Sequence, residues 1–366
     1  MAIDPAIKEG APVGYYDDRP IHTEPGALPP EVQAPLAPFR GREPDTPEWF
    51  RNALAQAPER SFVESLGARI EMLVWGERGK PGLLLVHGNS AHADWWSFIA
   101  PYLAQDFRVA SMSLAGMGAS DWRETYAFQD FAADAEAVAR AAGLYDAGKP
   151  IYIGHSFGGS QVFFAAASHP ERMRAAILVD TGFGGPPPDS PEGKRMAERM
   201  AEQARNIPTG DRAQRIYPTL EEALSRFRLM PPQAAGNLFI ADYIARRSLK
   251  AVTGPDGEEG WSWRFDPNMW AKLDRSVMSG LMDGGPPKVE IPLVHIYGDR
   301  SAIISRRKEG GPSPLPSHTL EIAIPDSAHH IMITSPSPSS RPCADCLRCG
   351  PARRRPPDPC AGLERR

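Results

Sequence analysis

Gly154-His155-Ser156-Phe157-Gly158-Gly159 is a G-x-S-x-G sequence, preceded by a strand-forming run and followed by a helix-forming one. That context gives the motif chemical meaning. A serine on a sharp strand-to-helix turn projects its hydroxyl above the sheet. Glycines on both sides remove side chains that would collide in so tight a bend. The Phe157 N–H then opens a helix and points at charge developing on an attacked oxygen. The chemistry such a turn can run is nucleophilic attack on an acyl carbon.

A second oxyanion donor is expected from a loop after another strand. The run Gly82–His87 ends in His87-Gly88-Asn89-Ser90, with Trp95-Trp96 close behind. Asn89 offers both a backbone N–H and a side-chain amide, whereas His87 reads as a buried hydrogen-bonding residue. The nine histidines show no metal-ligand spacing such as H-E-x-x-H, so neither a metal nor an organic cofactor is implied.

Elements able to hold these residues alternate along the chain. Short apolar runs predict strands at Arg69–Trp75, Gly82–His87, Arg108–Ser113, Pro150–Gly154, Ala175–Asp180, Pro292–Tyr297 and Leu320–Ile324. Leu83-Leu84-Leu85-Val86 is apolar on both faces, as a central strand covered by helices must be. Helical periodicity covers Phe128–Ala142, stopping at Gly143, and Gly158–His169, ending before Pro170. The alternation predicts an α/β fold: an open, mostly parallel sheet with helices on both faces, joined by right-handed crossovers. The regularity breaks from 183 to 287, a helical stretch rich in Met and Trp. It is expected to be a cap, or lid, inserted between two core strands. Residues 59–182 and 288–333 form the expected core. Residues 1–58, rich in proline, read as an arm wrapping the surface or a partly disordered lead-in.

Composition bounds the function. At 366 residues the chain has room for roughly two domains of ~150 residues. Hydrophobic residues make up 42%, enough for a real core. Forty-five acidic against 41 basic side chains give a net charge of −4, which offers nucleic acid no footprint and an anionic membrane no attraction. No run approaches the ~20 apolar residues of a membrane span, and no secretion signal is visible at Met1, so a soluble, cytoplasmic protein is expected. The four cysteines, Cys343, Cys346, Cys349 and Cys360, all lie at the far end of the chain and form no disulfide framework. Oligomeric state is not legible.

The motifs together resemble the α/β-hydrolase-fold superfamily over roughly residues 60–333. They are His87-Gly88-Asn89, Gly154-His-Ser-Phe-Gly158-Gly159, the late Asp326-Ser-Ala-His329-His330, and a weaker Ser113-Leu-Ala-Gly116-Met-Gly118-Ala-Ser120. In the last of these the family often has Asp and His in place of Ser113 and Met117. The resemblance implies a nucleophile–acid–histidine order along the chain. It assigns Ser156 as nucleophile, His329 as base, and Asn89 and Phe157 as oxyanion donors, with His330 a structural or pocket-lining neighbour. The acid commonly follows the strand Pro292–Tyr297, three residues past the glycine, but that position is Ser301. Two candidates stay open: Asp180, at the end of the strand after the nucleophile helix, is preferred, and Asp299 is the alternative. The His-Gly-Asn element also resembles haloalkane dehalogenases; those and the related epoxide hydrolases use an aspartate nucleophile where this chain has Ser156. Fold membership constrains chemistry better than substrate.

The expected reaction is hydrolysis of a small or medium carboxylic ester or lactone through an acyl-enzyme. Carbon–carbon bond hydrolysis or cofactor-free haloperoxidase-like activity is the alternative among enzymes, and a non-catalytic ligand-binding receptor the alternative of another class. Trp95, Phe227, Met230 and Tyr243 are expected to line the pocket, with core packing as the plainer role for each.

Residues 334–366 depart from the family, which usually follows its histidine with an Asp-Gln-Pro-Leu-Ala-Phe-Val-type helix. Dropping one base from a gene for Asp-Gln-Pro-Leu-Ala-Phe-Val-Ala-Ala-Leu-Arg yields Thr-Ser-Pro-Ser-Pro-Ser-Ser-Arg-Pro-Cys, which is residues 334–343. The tail therefore reads as an out-of-frame translation of a terminal helix. On that reading the Cys343-x-x-Cys346-x-x-Cys349 spacing holds no zinc.

Overall fold

Strands apolar on both faces are stable only when covered on each side. The computed structural model of the protein describes residues 28–182, 194, 213–255, 257–274, 276, 288–304 and 315–334, and sets such strands at the centre of one eight-stranded sheet. Its strands are β1 (Glu59–Ser65), β2 (Ala68–Trp75), β3 (Gly82–Val86), β4 (Arg108–Met112), β5 (Ile151–His155), β6 (Ala175–Val179), β7 (Leu293–Gly298) and β8 (Leu320–Ile324). Their order is β1-β2-β4-β3-β5-β6-β7-β8. β2 is antiparallel to both its neighbours, and β3 to β8 run parallel. This is the expected α/β sheet, and every predicted strand lies within one residue of its predicted ends. β1 was not predicted, because Glu59-Arg-Ser-Phe-Val-Glu-Ser carries too few apolar residues. Its antiparallel pairing with β2 through the Leu66-Gly67 turn creates it.

The period of two sorts the core into two layers. Leu84, Val86, Tyr152 and Leu178 face α2 (Phe128–Ala141) and α3 (Phe157–Ser168). Leu83, Leu85, Ile153 and Ile177 face the opposite layer, which holds Trp96 and Phe98 together with α1 (Glu48–Leu54) and α4 (Leu238–Arg247). The proline-rich lead-in is thus partly structural: Leu36 and Phe50 are buried, and the Phe50 ring meets Phe98, Phe239 and Tyr243 at 5.7, 5.0 and 5.6 Å. These contacts are tertiary, so periodicity within 1–58 could not announce them.

Between β6 and β7 the described residues are not wholly helical. Besides α4 and a short helix Leu220–Ser225, Leu249–Thr253 pairs antiparallel with Glu259–Trp263. The Gly254-Pro255 turn that interrupts the helical pattern is the bend of this hairpin, and Gly257 takes a positive φ of 81° there. Residues 1–27, most of 183–212, 277–287 and the 335–366 tail with its cysteines lie outside the described residues. Among the described residues no helix is long and apolar enough to cross a membrane.

One buried carboxylate ties the sheet to the loops above it. Glu71 of β2 is 2% exposed; it accepts hydrogen bonds from Ser113 Oγ at 2.6 Å and Ala119 N–H at 3.1 Å, and pairs with Arg60. Ser113 Oγ in turn accepts the Ala93 N–H at 3.0 Å. The Ser113–Ser120 loop, which lacks the aspartate common in the family, takes its carboxylate from the neighbouring strand instead. Removing a buried charge that several donors depend on is strongly destabilising. Glu71→Ala is expected to lower unfolding free energy by about 3 kcal/mol, read from urea denaturation; a loss within ±0.5 kcal/mol, the range of a surface substitution, would remove this anchoring role.

Candidate active site

β5 ends at His155 and α3 begins at Phe157, so Ser156 alone turns the chain. It does so at φ 53° and ψ −118°, left-handed backbone that an L-residue adopts at a cost of about 1–3 kcal/mol. Its N–H is pinned to Val179 O at 2.9 Å. A Cβ at Gly154 would collide with the Gly158 carbonyl, and one at Gly158 with the His87 carbonyl. Both glycines are therefore set by close backbone approach at the bend.

Three separate elements bring partners to this hydroxyl. His329, after β8, places Nε2 2.9 Å from Ser156 Oγ. Its Nδ1 lies 2.7 Å from Asp180 Oδ1, at the end of β6. The histidine is 1% exposed and the aspartate 0%. A carboxylate can only accept, so Nδ1 carries the proton and Nε2 presents its lone pair to the serine hydroxyl. Asp180 Oδ2 accepts the Gly298 N–H at 2.8 Å, and Oδ1 also accepts Ser301 Oγ–H at 2.6 Å. Asp299 is exposed and uses its N–H on Ile324 O. Of the two candidate acids, then, Asp180 is the one that meets His329. Sequence reasoning missed Ser301 as a contributor, although the signal was there: a hydroxyl at the position where the family carries its acid.

The loop after β3 passes beside the serine. A Cβ on Gly88 would lie 3.0 Å from His155 Nδ1 and 3.3 Å from Ser156 Cβ. This places Asn89 next to Ser156, with its Oδ1 buried and without a partner among the described residues. The Phe157 N–H belongs to the first turn of α3, where backbone donors have no intrahelical acceptor. His87 is buried; it accepts the Leu114 N–H at Nε2 and donates from Nδ1 to Gly88 O at 2.6 Å. Burial pushes its pKa down to about 3.

Two further imidazoles crowd His329. His155 Nε2–H donates to the His329 carbonyl at 3.1 Å, and His330 Nε2–H donates to the Met230 carbonyl at 3.0 Å. The ring centroids are 4.9 Å apart for His155 and His329, and 4.8 Å for His329 and His330. Burial lowers both neighbours' pKa, with the nearby histidines adding to it: His155 falls to about 3, and His330 well below the usual 6.5. One nitrogen from each of the three rings could hold a metal ion, the atoms lying within 4.8 Å of one another. Both nitrogens of His329 are already engaged, so an ion there would displace either Ser156 or Asp180.

The four expected pocket residues divide. Trp95 sets its ring 5.5 Å from His330, and Met230 reaches the same ring through its carbonyl. Phe227 and Tyr243 lie in the core layer that Trp95 shares, with Tyr243 edge-on to Phe50 and Phe98 and under the Arg247 guanidinium. The Phe50 ring of the lead-in segment holds Tyr243 there. Trp270, 40% exposed, stacks 5.2 Å from Phe157, the residue after the serine.

A family profile described as alpha/beta hydrolase fold matches residues 81–336. Among curated proteins, epoxide hydrolase 4 of Mus musculus is 29% identical over 121 residues, 32% of this chain and 33% of that protein. Lipase LipV of Mycobacterium tuberculosis is 29% identical over 106 residues, 29% of this chain and 39% of that one. The chain thus spans about a third of the length of the curated relatives it matches. Among solved structures, E-2-(acetamidomethylene)succinate hydrolase aligns with a TM-score of 0.61 at 19% identity, covering 80% of this chain and 99% of that one, a likeness of fold.

The depressed histidines fix a pH response. Unfolded imidazole takes up its proton near ~6.5, whereas His87 and His155 resist it to about 3. Below ~6.5 the unfolded chain therefore binds more protons than the folded one, and stability falls as pH drops toward 3. Each such histidine contributes a slope of up to ~1.4 kcal/mol per pH unit. Urea midpoints are expected to fall from about pH 7 to about pH 5, less steeply in His155→Gln. Flat midpoints over that window would mean that these rings are protonated in the folded protein.

Proposed function

The chain belongs to the alpha/beta hydrolase fold family, and from that premise we propose that it is a serine hydrolase cleaving a small or medium carboxylic ester or lactone. The reading is carried by the hydrogen-bonded line from Ser156 Oγ through His329 to Asp180, 2.9 and 2.7 Å long. His329 Nε2 takes the serine proton as Oγ bonds to the acyl carbon. Asp180 holds the resulting imidazolium through Nδ1–H. The carbonyl electrons move onto oxygen, where the N–H groups of Phe157 and Asn89 receive the charge. Collapse expels the alkoxide, which takes the proton from Nε2. Water then loses a proton to the same nitrogen, attacks the acyl-enzyme, and releases the acid as Ser156 recovers its hydrogen.

The similarity to epoxide hydrolase 4 does not carry the chemistry expected of an aspartate nucleophile. Attack by Ser156 Oγ on a saturated carbon would leave an ether, with no carbonyl for water to attack. On an acyl carbon the same oxygen forms an ester, which this site is arranged to hydrolyse. The similar protein Lipase LipV bears a name that agrees with ester chemistry.

With p-nitrophenyl butyrate as substrate, Ser156→Ala is expected to reduce kcat by about 10⁶-fold and Asp180→Asn by about 10⁴-fold. Asp299→Asn retains activity. Turnover that survives Ser156→Ala would dismiss the nucleophile, and equal losses in the two aspartate variants would dismiss the assignment of the acid. Absence of Ser156-dependent turnover across esters and lactones would leave a ligand-binding role.

A further inference from the structure

We infer that His330 and Trp95 form a hydroxyl-recognition subsite beside the reacting bond, so that the preferred substrate carries a free hydroxyl group. The inference deepens the ester reading above and rests on it for the reaction. Its own support is a set of buried polar atoms that the proposed steps do not use.

His330 is 2% exposed. Its Nε2 faces the Met230 carbonyl, which can only accept, so the ring's single proton is on Nε2. Nδ1 is then a bare lone pair, buried and without a partner among the described residues. Trp95 is 7% exposed, its ring centroid is 5.5 Å from that of His330, and its Nε1–H is likewise buried and unpartnered. Gln233 completes the group. Its Oε1 accepts the His330 backbone N–H at 2.9 Å, while its Nε2 has no partner. His330 is thus flanked by two side chains with unused donors, Trp95 against its ring and Gln233 on its backbone N–H, and its ring presents an unused acceptor of its own. Buried polar atoms are paired as a rule, and three exceptions gathered around one residue beside the reactive serine call for a bound partner as their explanation.

The required partner must both donate and accept. A carbonyl, ether or carboxylate would satisfy Trp95 Nε1–H but leave the His330 lone pair facing another lone pair. An ammonium would do the reverse. A hydroxyl gives its proton to His330 Nδ1 and takes one from Trp95 or Gln233. Location supports the assignment. His330 follows His329, whose Nε2 returns the proton to the leaving alkoxide, and Trp95 follows the Asn89 loop. The hydroxyl can sit on the alcohol or the acyl portion, and the chemistry of recognition is the same.

The test compares ethyl butyrate with ethylene glycol monobutyrate, hydroxylated on the alcohol side, and ethyl beta-hydroxybutyrate, hydroxylated on the acyl side. One of the hydroxylated esters is expected to exceed ethyl butyrate in kcat/KM by about 10-fold or more, because a site built to bond a hydroxyl rejects the analogue lacking it. Trp95→Phe keeps an aromatic face but loses the donor, and brings that ratio toward one. Gln233→Met, at a half-buried position, is the second probe and lowers the same ratio. Calorimetric binding of the three esters to Ser156→Ala repeats the comparison without turnover. Equal kcat/KM and equal binding for all three, with turnover still dependent on Ser156, would mean that ordered water alone occupies these atoms; the subsite falls and the ester reading stands. A binding preference without turnover of any ester would keep the subsite and overturn the reaction. A wild-type preference unchanged in both variants would remove Trp95 and Gln233 from it.

Discussion

The site depends on a contact between backbones. α3 begins so close to the end of β3 that no side chain fits between them, and Gly158 touches the His87 carbonyl while Gly154 touches Gly158. This approach forces Ser156 into left-handed backbone and lifts its hydroxyl clear of the sheet. The same approach brings the Gly88-Asn89 loop alongside, so one packing constraint positions both the hydroxyl and the donors proposed for the oxyanion. The strain is local. It is offset by the Ser156 N–H bond to Val179 and by the apolar layers under Phe157, where Phe128 and Phe131 pack against its ring. A rigid sheet is what allows so unfavourable a conformation to persist.

The second constraint is a carboxylate with no access to water. Asp180 is fully buried, and an ionised group there is tolerable only if its oxygens are satisfied. Three donors from two strands do this: His329 Nδ1–H, Ser301 Oγ–H and the Gly298 N–H. Two of them come from the end of β7, where the family commonly keeps its acid. The end of β7 thus supplies donors to a carboxylate that comes from β6. Glu71 repeats the pattern, since Ser113 stands where an aspartate is common and the charge arrives from the adjacent strand. In both cases a serine donates to a buried carboxylate that comes from another strand.

Much of this was legible in the chain. The G-x-S-x-G turn, the His-Gly-Asn loop and the predicted strands need only local pattern, and the central parallel strands most of all, because burial on both faces makes them unbroken apolar runs. The choice between Asp180 and Asp299 was harder, since both end strands and the deciding quantity is reach across the sheet. Tyr243 has the composition of a pocket residue but packs on Phe50 and Phe98, which come from distant segments and leave no local signal. The lead-in was opaque for the same reason: the burial of Phe50 is set by Phe239 and Tyr243 of α4, far away in sequence. The hairpin between Leu249 and Trp263 was hidden by the helical residues around it, although its Gly254-Pro255 bend stood out.

The crowding of three imidazoles has a consequence for where a proton can go. Two positively charged rings less than 5 Å apart between centroids, away from water, repel strongly. His155 and His330 each spend their one N–H on a backbone carbonyl, and burial disfavours a second proton on either. His329 differs in one respect: its N–H faces the Asp180 carboxylate. A proton leaving Ser156 thus has a single acceptor within reach whose charged form is electrostatically compensated. His155 holds the His329 carbonyl, and both neighbouring rings fill space while staying neutral. On the proposed mechanism they keep the charge on the one imidazole that can pass it to a leaving group.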